Sequence, residues 1–313
     1  FVTSNCNLRC QNCFNWANLN KSSDLTLGEI EKISLNLPKF KVLLLSGGEP
    51  FLRAEISKII EIFHRNNGVS FVGIPTNGTF TDKVVEGAIN IAKIDPGISV
   101  NVYFSIDGLA GIHDQSRGVP GSFEKTLNTL GKLSSLRSQY KNLSVNINTV
   151  ISAGSLAGIP DFISFIRSKG EHYTDGHYFE IVRGSPRDPA VKTVLAERVK
   201  YMYEHVILPY QESLYRKRRE AGMFSGLLSK FAVANLACEY GIQYKNFTSG
   251  TDWPMECTAG RSIAVIDADG KLRLCELRPP VADLRETEYN FKKFMGSAFA
   301  TEEIKKIKDA KCF

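Results

Sequence analysis

The sequence predicts an α/β fold: a partial (β/α)6 TIM-like barrel, then a helical connector and a small C-terminal domain containing a β-hairpin. Over residues 1–184, apolar runs typical of buried strands alternate with helical patterns of ten or more residues. Polar motifs follow the strands at their carboxyl ends, where parallel α/β folds place their functional sites. The alternation then stops, so we divide the chain into a barrel (1–184), a connector (185–256) and a C-terminal domain (257–313).

The barrel is predicted to contain six strands, of which the extended start at Phe1 is the first. Thr26 and Glu29 form a capping box that begins a helix ending at Pro38. The apolar run 42–45 then predicts a strand buried on both faces. The remaining predicted elements are helix 54–66, strand 70–74, helix 82–93, strand 99–106, helix 122–138, strand 143–151, helix 156–169 and strand 177–183.

Beyond the barrel, residues 184–189 are predicted as a linker between two differently patterned regions. Apolar periodicity predicts helices over 191–222, kinked or split at Pro209, and over 223–240. Cys238 falls in the second pattern and is predicted to be a buried thiol. After Cys257, short strands are predicted on either side of an Asp269-Gly270 hairpin turn.

Composition excludes several classes of protein. With 43% hydrophobic and 23% charged residues the chain is ordinary globular protein, and no apolar run approaches the ~20 residues of a membrane helix. The net charge of +6 is mild, and the basic run 216–219 lies in a helical pattern beside acidic residues, which favours a solvated helix face over a nucleic-acid surface. Seven cysteines, an odd number, indicate a reducing compartment rather than disulfides. We therefore predict a cytoplasmic protein of an oxygen-poor habitat, without membrane or nucleic-acid partners.

The opening stretch carries the strongest chemical signal. Cys6, Cys10 and Cys13 stand at C-x3-C-x2-C spacing among polar residues typical of a turn, whereas buried structural thiols lie on periodic apolar segments. A zinc site would need a fourth nearby ligand, and the next candidate is the distant His64. Three soft ligands therefore favour an iron–sulfur cluster in which one iron is open to an exogenous ligand.

This spacing resembles the signature of the radical S-adenosylmethionine (SAM) enzymes. The segment Ser46-Gly47-Gly48-Glu49-Pro50 resembles a second mark of that family, and the resemblance covers about residues 1–184. It implies a partial barrel in which the three cysteines bind a [4Fe-4S] cluster and the free iron binds SAM. The implied reaction is reductive cleavage of SAM to a 5′-deoxyadenosyl radical, with an external electron donor such as flavodoxin or ferredoxin.

The resemblance also implies which residues bind SAM. These candidates, which follow the ends of three predicted strands, are Gly47, Gly48, Glu49, Pro50, Asn77, Ser105 and Asp107. The Gly-Gly-Glu-Pro turn is expected to hold the methionine amino group, whereas Ser105 and Asp107, joined by Asn77, fit the contacts to the ribose. Their alternative role is capping and turn formation. The family usually carries an aromatic residue just before the third cysteine, where this chain has Asn12, so the adenine contacts are left open.

A second set of cysteines lies near the C-terminal end of the chain. Cys257 and Cys275 flank the predicted hairpin, and Cys312 is the penultimate residue. The segment 270–275 matches the Gly-x4-Cys element of the auxiliary-cluster domains of the radical SAM family, of the SPASM or twitch type, and Cys312 fits the start of a later element. The resemblance implies at least one auxiliary [4Fe-4S] cluster, with further ligands beyond Phe313. Structural zinc is the alternative.

Two residues are candidates for catalysis or substrate contact. Arg117 lies in a predicted loop, residues 113–118, from which it is expected to pair with a carboxylate of SAM or substrate; the alternative is an exposed arginine. Glu276 follows Cys275 at a place where some enzymes with auxiliary domains carry a proton-accepting carboxylate. The alternative for Glu276 is a salt bridge to Arg273 or Arg278.

The function predicted from these motifs is that of a radical SAM oxidoreductase or maturase. Oxidative modification or cross-linking of a peptide or protein side chain is the first choice of reaction. Dehydrogenation or rearrangement of a small molecule, such as a sugar derivative, is the alternative. A hypothesis of another class is a non-catalytic iron–sulfur electron carrier or redox sensor, which would not need the SAM-binding motifs.

Overall fold

The computed structural model describes residues 1–21, 23–170, 173–220, 226–249 and 257–308. The first half of the chain contains five parallel strands, which are β1 Val42–Leu44, β2 Phe71–Thr76, β3 Ser99–Ser105, β4 Leu143–Ile151 and β5 Gly176–Ile181. The helices among them are α1 Leu27–Asn36, α2 Ile56–Asn67, α3 Thr81–Ala92, α4 Ala110–Arg117, α5 Ser122–Leu136 and α6 Ile159–Ser168. Each strand pairs in parallel with the next one along the chain, and helices form the connections between them. The curled half-barrel confirms the predicted fold class.

The hydrophobic core lies between the sheet and its helices. On β3, Val100, Val102 and Phe104 are completely buried, whereas the intervening Tyr103 is only partly covered. This alternation follows from the two-residue period of a strand, which sends one set of side chains to the helices and the other to the opposite face. We call that opposite face the inner face of the half-barrel.

The extended start of the chain is not a regular strand of the sheet. The Val2 amide donates to the Ser46 carbonyl at 2.8 Å, and the Gly48 amide donates to the Thr3 carbonyl at 2.8 Å. These bonds join the start to the turn that follows β1, and the segment makes no ladder with β1 itself. The described part of the sheet therefore has five strands where six were predicted.

Strand β1 has one exposed face and lies at the edge of the sheet, so the prediction that it is buried on both faces is wrong. Val42 is 55% exposed and Leu44 is 69% exposed. Within the described sheet β1 pairs with β2 alone, because the extended start does not extend along its other side. Apolar residues in a short edge strand are indistinguishable by sequence from those of a central strand.

The segment predicted as a loop before Gly118 is in fact helix α4. Gly118 ends it in the left-handed conformation, with φ of 69°, which glycine adopts without steric cost. His113 and Arg117, four residues apart, are both buried on one side of the helix. The helix is only eight residues long and largely polar, which explains why apolar periodicity did not reveal it.

The connector is helical, as predicted. Its elements are α7 Ala196–Met202, a π-helical turn Tyr203–Ile207, α8 Leu208–Glu220 and α9 Gly226–Ser249. The π turn ends two residues before Pro209, whose missing N–H cannot complete an ordinary helical bond. The prediction of a buried Cys238 is wrong, because α9 buries Leu236 and Tyr240 and Cys238, two residues from each, is exposed.

A small antiparallel sheet begins the described C-terminal region. It consists of β6 Val265–Ile266, β7 Lys271–Arg273 and β8 Ala282–Asp283, followed by α10 Phe291–Met295 and α11 Ala298–Lys308. The predicted hairpin turn is present, with Gly270 at φ of 89°, whereas β8 and the two helices were not predicted. Among the described helices, none combines the length and apolar character that a membrane span requires.

Candidate functional site

The cysteine loop, residues 6–13, lies at the carboxyl edge of the parallel sheet. The Gln11 amide donates to the Ser116 carbonyl at 2.8 Å, beside the end of α4. The Arg187 amide donates to the Cys13 carbonyl at 3.1 Å, in the segment after β5. The loop is therefore fixed from both sides by backbone contacts from elements far away in sequence.

The three predicted thiols of this loop lie near enough to one another to interact electrostatically. Cys6, Cys10 and Cys13 are free and partly buried. Burial raises the pKa of Cys6 to about 11, and the neighbouring Cys10 and Cys13 thiols add to the shift. Burial, with the Cys10 thiol, also raises the pKa of Cys13. Crowded thiols of this kind become thiolates when a positively charged metal centre binds them, so the donor set fits an iron–sulfur cluster.

Among the described residues, no three His, Cys, Asp or Glu side chains are gathered closely enough to hold a single metal ion. The fit of the cysteine loop to a cluster therefore rests on the type, sequence spacing and electrostatic proximity of its three thiols.

The Gly-Gly-Glu-Pro turn packs directly against the start of the cysteine loop. A Cβ atom on Gly47 would lie 2.4 Å from the Thr3 carbonyl oxygen, and one on Gly48 would lie 2.1 Å from the Asn5 carbonyl oxygen. Only glycine allows two backbones to approach this closely. Packing against the start of the chain therefore explains why both positions are glycine. Their contact with the methionine amino group stays a prediction.

Glu49 is anchored between the ends of β1 and β2. Its carboxylate accepts hydrogen bonds from the Asn77 amide at 2.7 Å, the Thr76 hydroxyl at 2.9 Å and the Phe51 amide at 3.2 Å. Burial nevertheless raises the pKa of this side chain to about 7. A buried carboxylate that titrates near neutral pH favours a bound cation, so the residue suits its predicted role toward an ammonium group. Pro50 follows it and begins a 3-10 turn.

Asn77 links the end of β2 to the cysteine loop. Its side-chain amide donates to the side-chain oxygen of Asn7 at 2.9 Å, while its own oxygen accepts from the Thr79 hydroxyl at 2.7 Å. These bonds meet the capping role that polar residues have at strand ends. They also place Asn77 beside the loop that is expected to face SAM.

Asp107, just after β3, is buried and fully engaged by protein groups. Its two oxygens accept from Arg117 at 2.9 Å, the Ser116 hydroxyl at 2.6 Å and the Val150 amide at 3.3 Å, and the Asn12 side chain lies at 3.5 Å. The predicted ribose contact is not seen directly and stays a prediction. Asn12 stands where the family usually has an aromatic residue, and its side chain lies beside the Asp107 carboxylate.

Arg117 is buried, so the alternative of an exposed arginine is wrong. Its guanidinium pairs with Asp107, and its second terminal nitrogen lies 3.7 Å from the Cys10 sulfur. The carboxylate partner in the structure is therefore one of the protein's own, and pairing with SAM or substrate stays a prediction.

Glu276 forms a salt bridge, although with neither predicted arginine. Its carboxylate lies 2.7 Å from Arg183, which follows β5. Arg273 instead pairs with Asp267 at 2.6 Å. The residue after Cys275 is thus tied to the barrel, and its role as a base stays a prediction.

The two auxiliary cysteines within the described residues occupy one region. Cys257 and Cys275 are partly buried and pack against the same small apolar cluster, which contains Leu274 and Ile307. Cys312, the third predicted ligand, lies outside the described residues. Two of the three candidate ligands of the auxiliary site therefore pack against the same group of apolar side chains.

The inner face of the half-barrel carries polar residues that the sequence analysis missed. Asn148 on β4 is in register with Ser105 on β3 and Tyr178 on β5. Its side-chain oxygen is buried, with no hydrogen-bond partner among the described residues. The rings of Tyr103 and Tyr178 meet edge to face at 5.7 Å. The pattern of asparagines at alternate positions in the apolar strand 143–151 is the signal that would have revealed this face.

Comparison with known proteins identifies the family. Residues 1–151 match the family model of the Radical SAM superfamily. The barrel of this chain belongs to the radical SAM superfamily. Members bind a [4Fe-4S] cluster and SAM, which the cysteine loop and its neighbouring strand ends are suited to hold.

Relatives of this chain differ in how much of it they match. The AdoMet-dependent heme synthase of Methanosarcina barkeri is 25% identical over 298 residues, which is 92% of this chain and 79% of that protein. The Fe-coproporphyrin III synthase of the same organism is 28% identical over 171 residues, and the chain spans only 40% of its length. The solved structure of native anSMEcpe with bound AdoMet and Cp18Cys peptide has a TM-score of 0.61 at 18% identity, covering 99% of this chain and 82% of that one. The last likeness shows a shared fold.

Proposed function

We propose that this radical SAM enzyme oxidatively modifies or cross-links a side chain of a peptide or protein. The observation that carries the proposal is the position of the C-terminal hairpin. Glu276, beside Cys275, reaches the end of the barrel through Arg183, so a second cysteine set adjoins the edge where the first cysteine loop lies. An adjoining redox centre suits an oxidation, in which electrons must leave the substrate. The anSMEcpe structure, whose bound molecules include a peptide, extends over the same two regions.

Each part of the site has a proposed task. When bound, the cluster and SAM supply a 5′-deoxyadenosyl radical that can take a hydrogen atom from the substrate. Cys6, Cys10 and Cys13 hold the cluster, and Glu49 accepts the ammonium group of SAM. Asn77, Ser105 and Asp107, which lie at the ends of neighbouring strands, are proposed to position its ribose.

The inner face is the proposed place for the reacting part of the substrate. Asn148 offers a buried oxygen that is unpaired within the described part of the chain and lies beside Ser105, so a substrate amide or hydroxyl can donate to it. Glu276 is proposed as the base that takes the proton released by oxidation, after exchanging its bond to Arg183. Cys257, Cys275 and Cys312 are proposed to hold at least one auxiliary [4Fe-4S] cluster, in a domain of the SPASM or twitch type.

The proposal includes the setting in which the enzyme works. An external donor such as flavodoxin or ferredoxin would deliver electrons to the first cluster. Because cysteine thiolates are oxidised readily, we propose that the enzyme works in the reducing cytoplasm of an anaerobic cell.

The first experiment tests SAM cleavage under anaerobic conditions. The reconstituted full-length protein is treated with dithionite and SAM, and 5′-deoxyadenosine is measured. We expect it to form with the wild type and to fall to background with Cys10→Ala, while Cys238→Ala, an exposed cysteine on α9, retains the wild-type rate. Equal yields from the wild type and Cys10→Ala would remove the cluster assignment.

A second experiment addresses the substrate class. Short peptides containing cysteine, serine or tyrosine are incubated with the reconstituted enzyme, and peptide mass and 5′-deoxyadenosine are followed together. A peptide that loses about 2 Da and raises 5′-deoxyadenosine supports the proposal, since removal of two hydrogens accounts for this loss. The second candidate function is small-molecule chemistry, favoured by the 25% identity to a heme synthase over most of the chain. Turnover of a tetrapyrrole, with no peptide modified, would favour that function.

A further inference from the structure

Arg117 has surroundings that its predicted role does not explain. The side chain is 7% exposed, one terminal nitrogen lies 2.9 Å from an Asp107 oxygen, and the other lies 3.7 Å from the Cys10 sulfur. Its Nε is buried without a hydrogen-bond partner among the described residues. The guanidinium thus connects a cysteine of the first set to the carboxylate after β3.

The backbone fixes the arginine in this position. The Arg9 amide, within the cysteine loop, donates to the Arg117 carbonyl at 3.1 Å. At Gly118, a Cβ atom would lie 2.9 Å from the Arg9 carbonyl oxygen, so only glycine allows α4 to end this close to the loop. The Ser116 hydroxyl meanwhile holds the other oxygen of Asp107 at 2.6 Å. The orientation of the guanidinium is therefore set from both sides.

A guanidinium next to a metal-binding sulfur has a defined electrostatic effect. Arginine keeps its positive charge at all physiological pH values. A positive charge and a hydrogen bond at a cysteine ligand stabilise the more negative, reduced form of an iron–sulfur cluster. Asp107 offsets part of this charge at long range, but the guanidinium is the group in contact with the sulfur.

We propose that Arg117 is a positioning residue that holds Cys10 and raises the reduction potential of the cluster bound by the first cysteine set, while Asp107 orients its guanidinium. This inference rests on the radical SAM assignment and is independent of the substrate. A purely structural arginine would fold the loop without influencing the potential.

The decisive measurement is an anaerobic redox titration of the reconstituted holoenzyme followed by electron paramagnetic resonance. The signal of the first cluster is identified by its change when SAM is added. Arg117→Gln is expected to shift the midpoint potential to more negative values. Arg117→Lys keeps the positive charge but loses the planar, two-pronged guanidinium, so it should shift the potential less. The control is Arg137→Gln, a mostly buried arginine paired with Asp175, which should match the wild type. An unchanged potential in a cluster-loaded Arg117→Gln protein would overturn the proposal.

A second measurement remains valid if these variants fold poorly. The wild-type holoenzyme is labelled with ¹⁵N in its arginine guanidinium groups, and pulsed electron paramagnetic resonance is recorded on the reduced first cluster. A nitrogen 3.7 Å from the Cys10 sulfur should give a ¹⁵N coupling in the labelled protein alone. Absence of this coupling in the labelled wild-type protein would contradict the proposal. Neither experiment requires substrate turnover, so failure of the peptide proposal would leave its result unaffected.

Discussion

At the scale of single residues, burial decides the chemistry of the site more than residue type does. The Glu49 carboxylate accepts three hydrogen bonds, which favour its charged form. Burial nevertheless raises the pKa of this carboxyl to about 7. The depressed pKa of His113, about 4, likewise reflects burial first and the nearby Arg117 second. Groups of this kind couple pH to stability and to ligand charge.

Glu49 should make the apo protein less stable as pH rises. Because its folded pKa is raised above the ordinary value of 4.5, its contribution is present below that value and lost on passing toward pH 7. Relative to Glu49→Gln, the wild-type free energy of unfolding should fall between pH 5 and 7 by up to about 1.4 kcal/mol per pH unit. Urea titrations of both proteins measure this difference.

Glu49→Gln is needed as the reference because two buried histidines change the free energy of unfolding with pH in the opposite direction. Burial lowers the pKa of His113 and His177, so stability is lost from them as pH falls below about 6.5. Both proteins contain these histidines, and their contribution cancels in the difference. Parallel curves for the wild type and Glu49→Gln would contradict the assignment.

At the scale of elements, the ends of helices and strands determine where the cysteine loop lies. Helix α4 places Arg117 and Ser116 against the loop, and Gly118 lets the chain leave the helix at that point. Its existence was not predicted, whereas the capping box of α1 was predicted and is present. The difference is physical: a cap is a local bond between nearby residues, but α4 is held by burial against distant ones.

Replacing Gly118 by alanine should cost more than the same change at another helix end. Gly68 ends α2 in the same conformation, with φ of 78°, and a Cβ atom there would meet nothing within 4 Å. Gly68→Ala should therefore show the backbone strain alone, about 1 kcal/mol. Gly118→Ala should lose roughly 2–3 kcal/mol, because its Cβ also collides with the Arg9 carbonyl oxygen.

Two measurements on this pair separate stability from function. Chemical denaturation gives the free energies of unfolding, and iron analysis after reconstitution gives the occupancy of the first cluster. Only Gly118→Ala should lose iron. Equal stability and equal iron in the two variants would show that α4 does not position the loop.

At the scale of the whole molecule, the C-terminal sheet docks on the beginning of the chain. The backbone nitrogen of Phe1 lies 2.7 Å from the Ile266 carbonyl oxygen, and Arg285 pairs with Glu29 at 2.7 Å. The hydrogen bond from Arg285 is the main reason why the pKa of Glu29 falls to about 2. Glu29, which completes the capping box of α1, thus also binds the C-terminal region.

Arg285→Ala should loosen this docking without unfolding the barrel. Hydrogen exchange should become faster at residues 265–285 and at the start of α1, while the central strand β3 keeps its protection. Because the pKa of Glu29 is depressed, its contribution is present above about pH 4.5 and is lost as pH falls, so the difference between wild type and variant should shrink in acid. Lys306→Ala, which removes two ion pairs within α11, is the matched control. Identical exchange in Arg285→Ala and the wild type would contradict a docking role.

The sequence by itself determined the α/β fold class, the five strands β1–β5 and five of the six helices among them, and the cysteine loop. These features depend on short-range patterns: apolar periodicity, capping and the spacing of ligands within one loop. The tertiary structure alone decided that Arg117 contacts Cys10, that Glu276 pairs with Arg183, and that Cys238 is exposed. Each of these features depends on which side chains from distant parts of the sequence come into contact. Tertiary packing determines those contacts, and local sequence patterns do not.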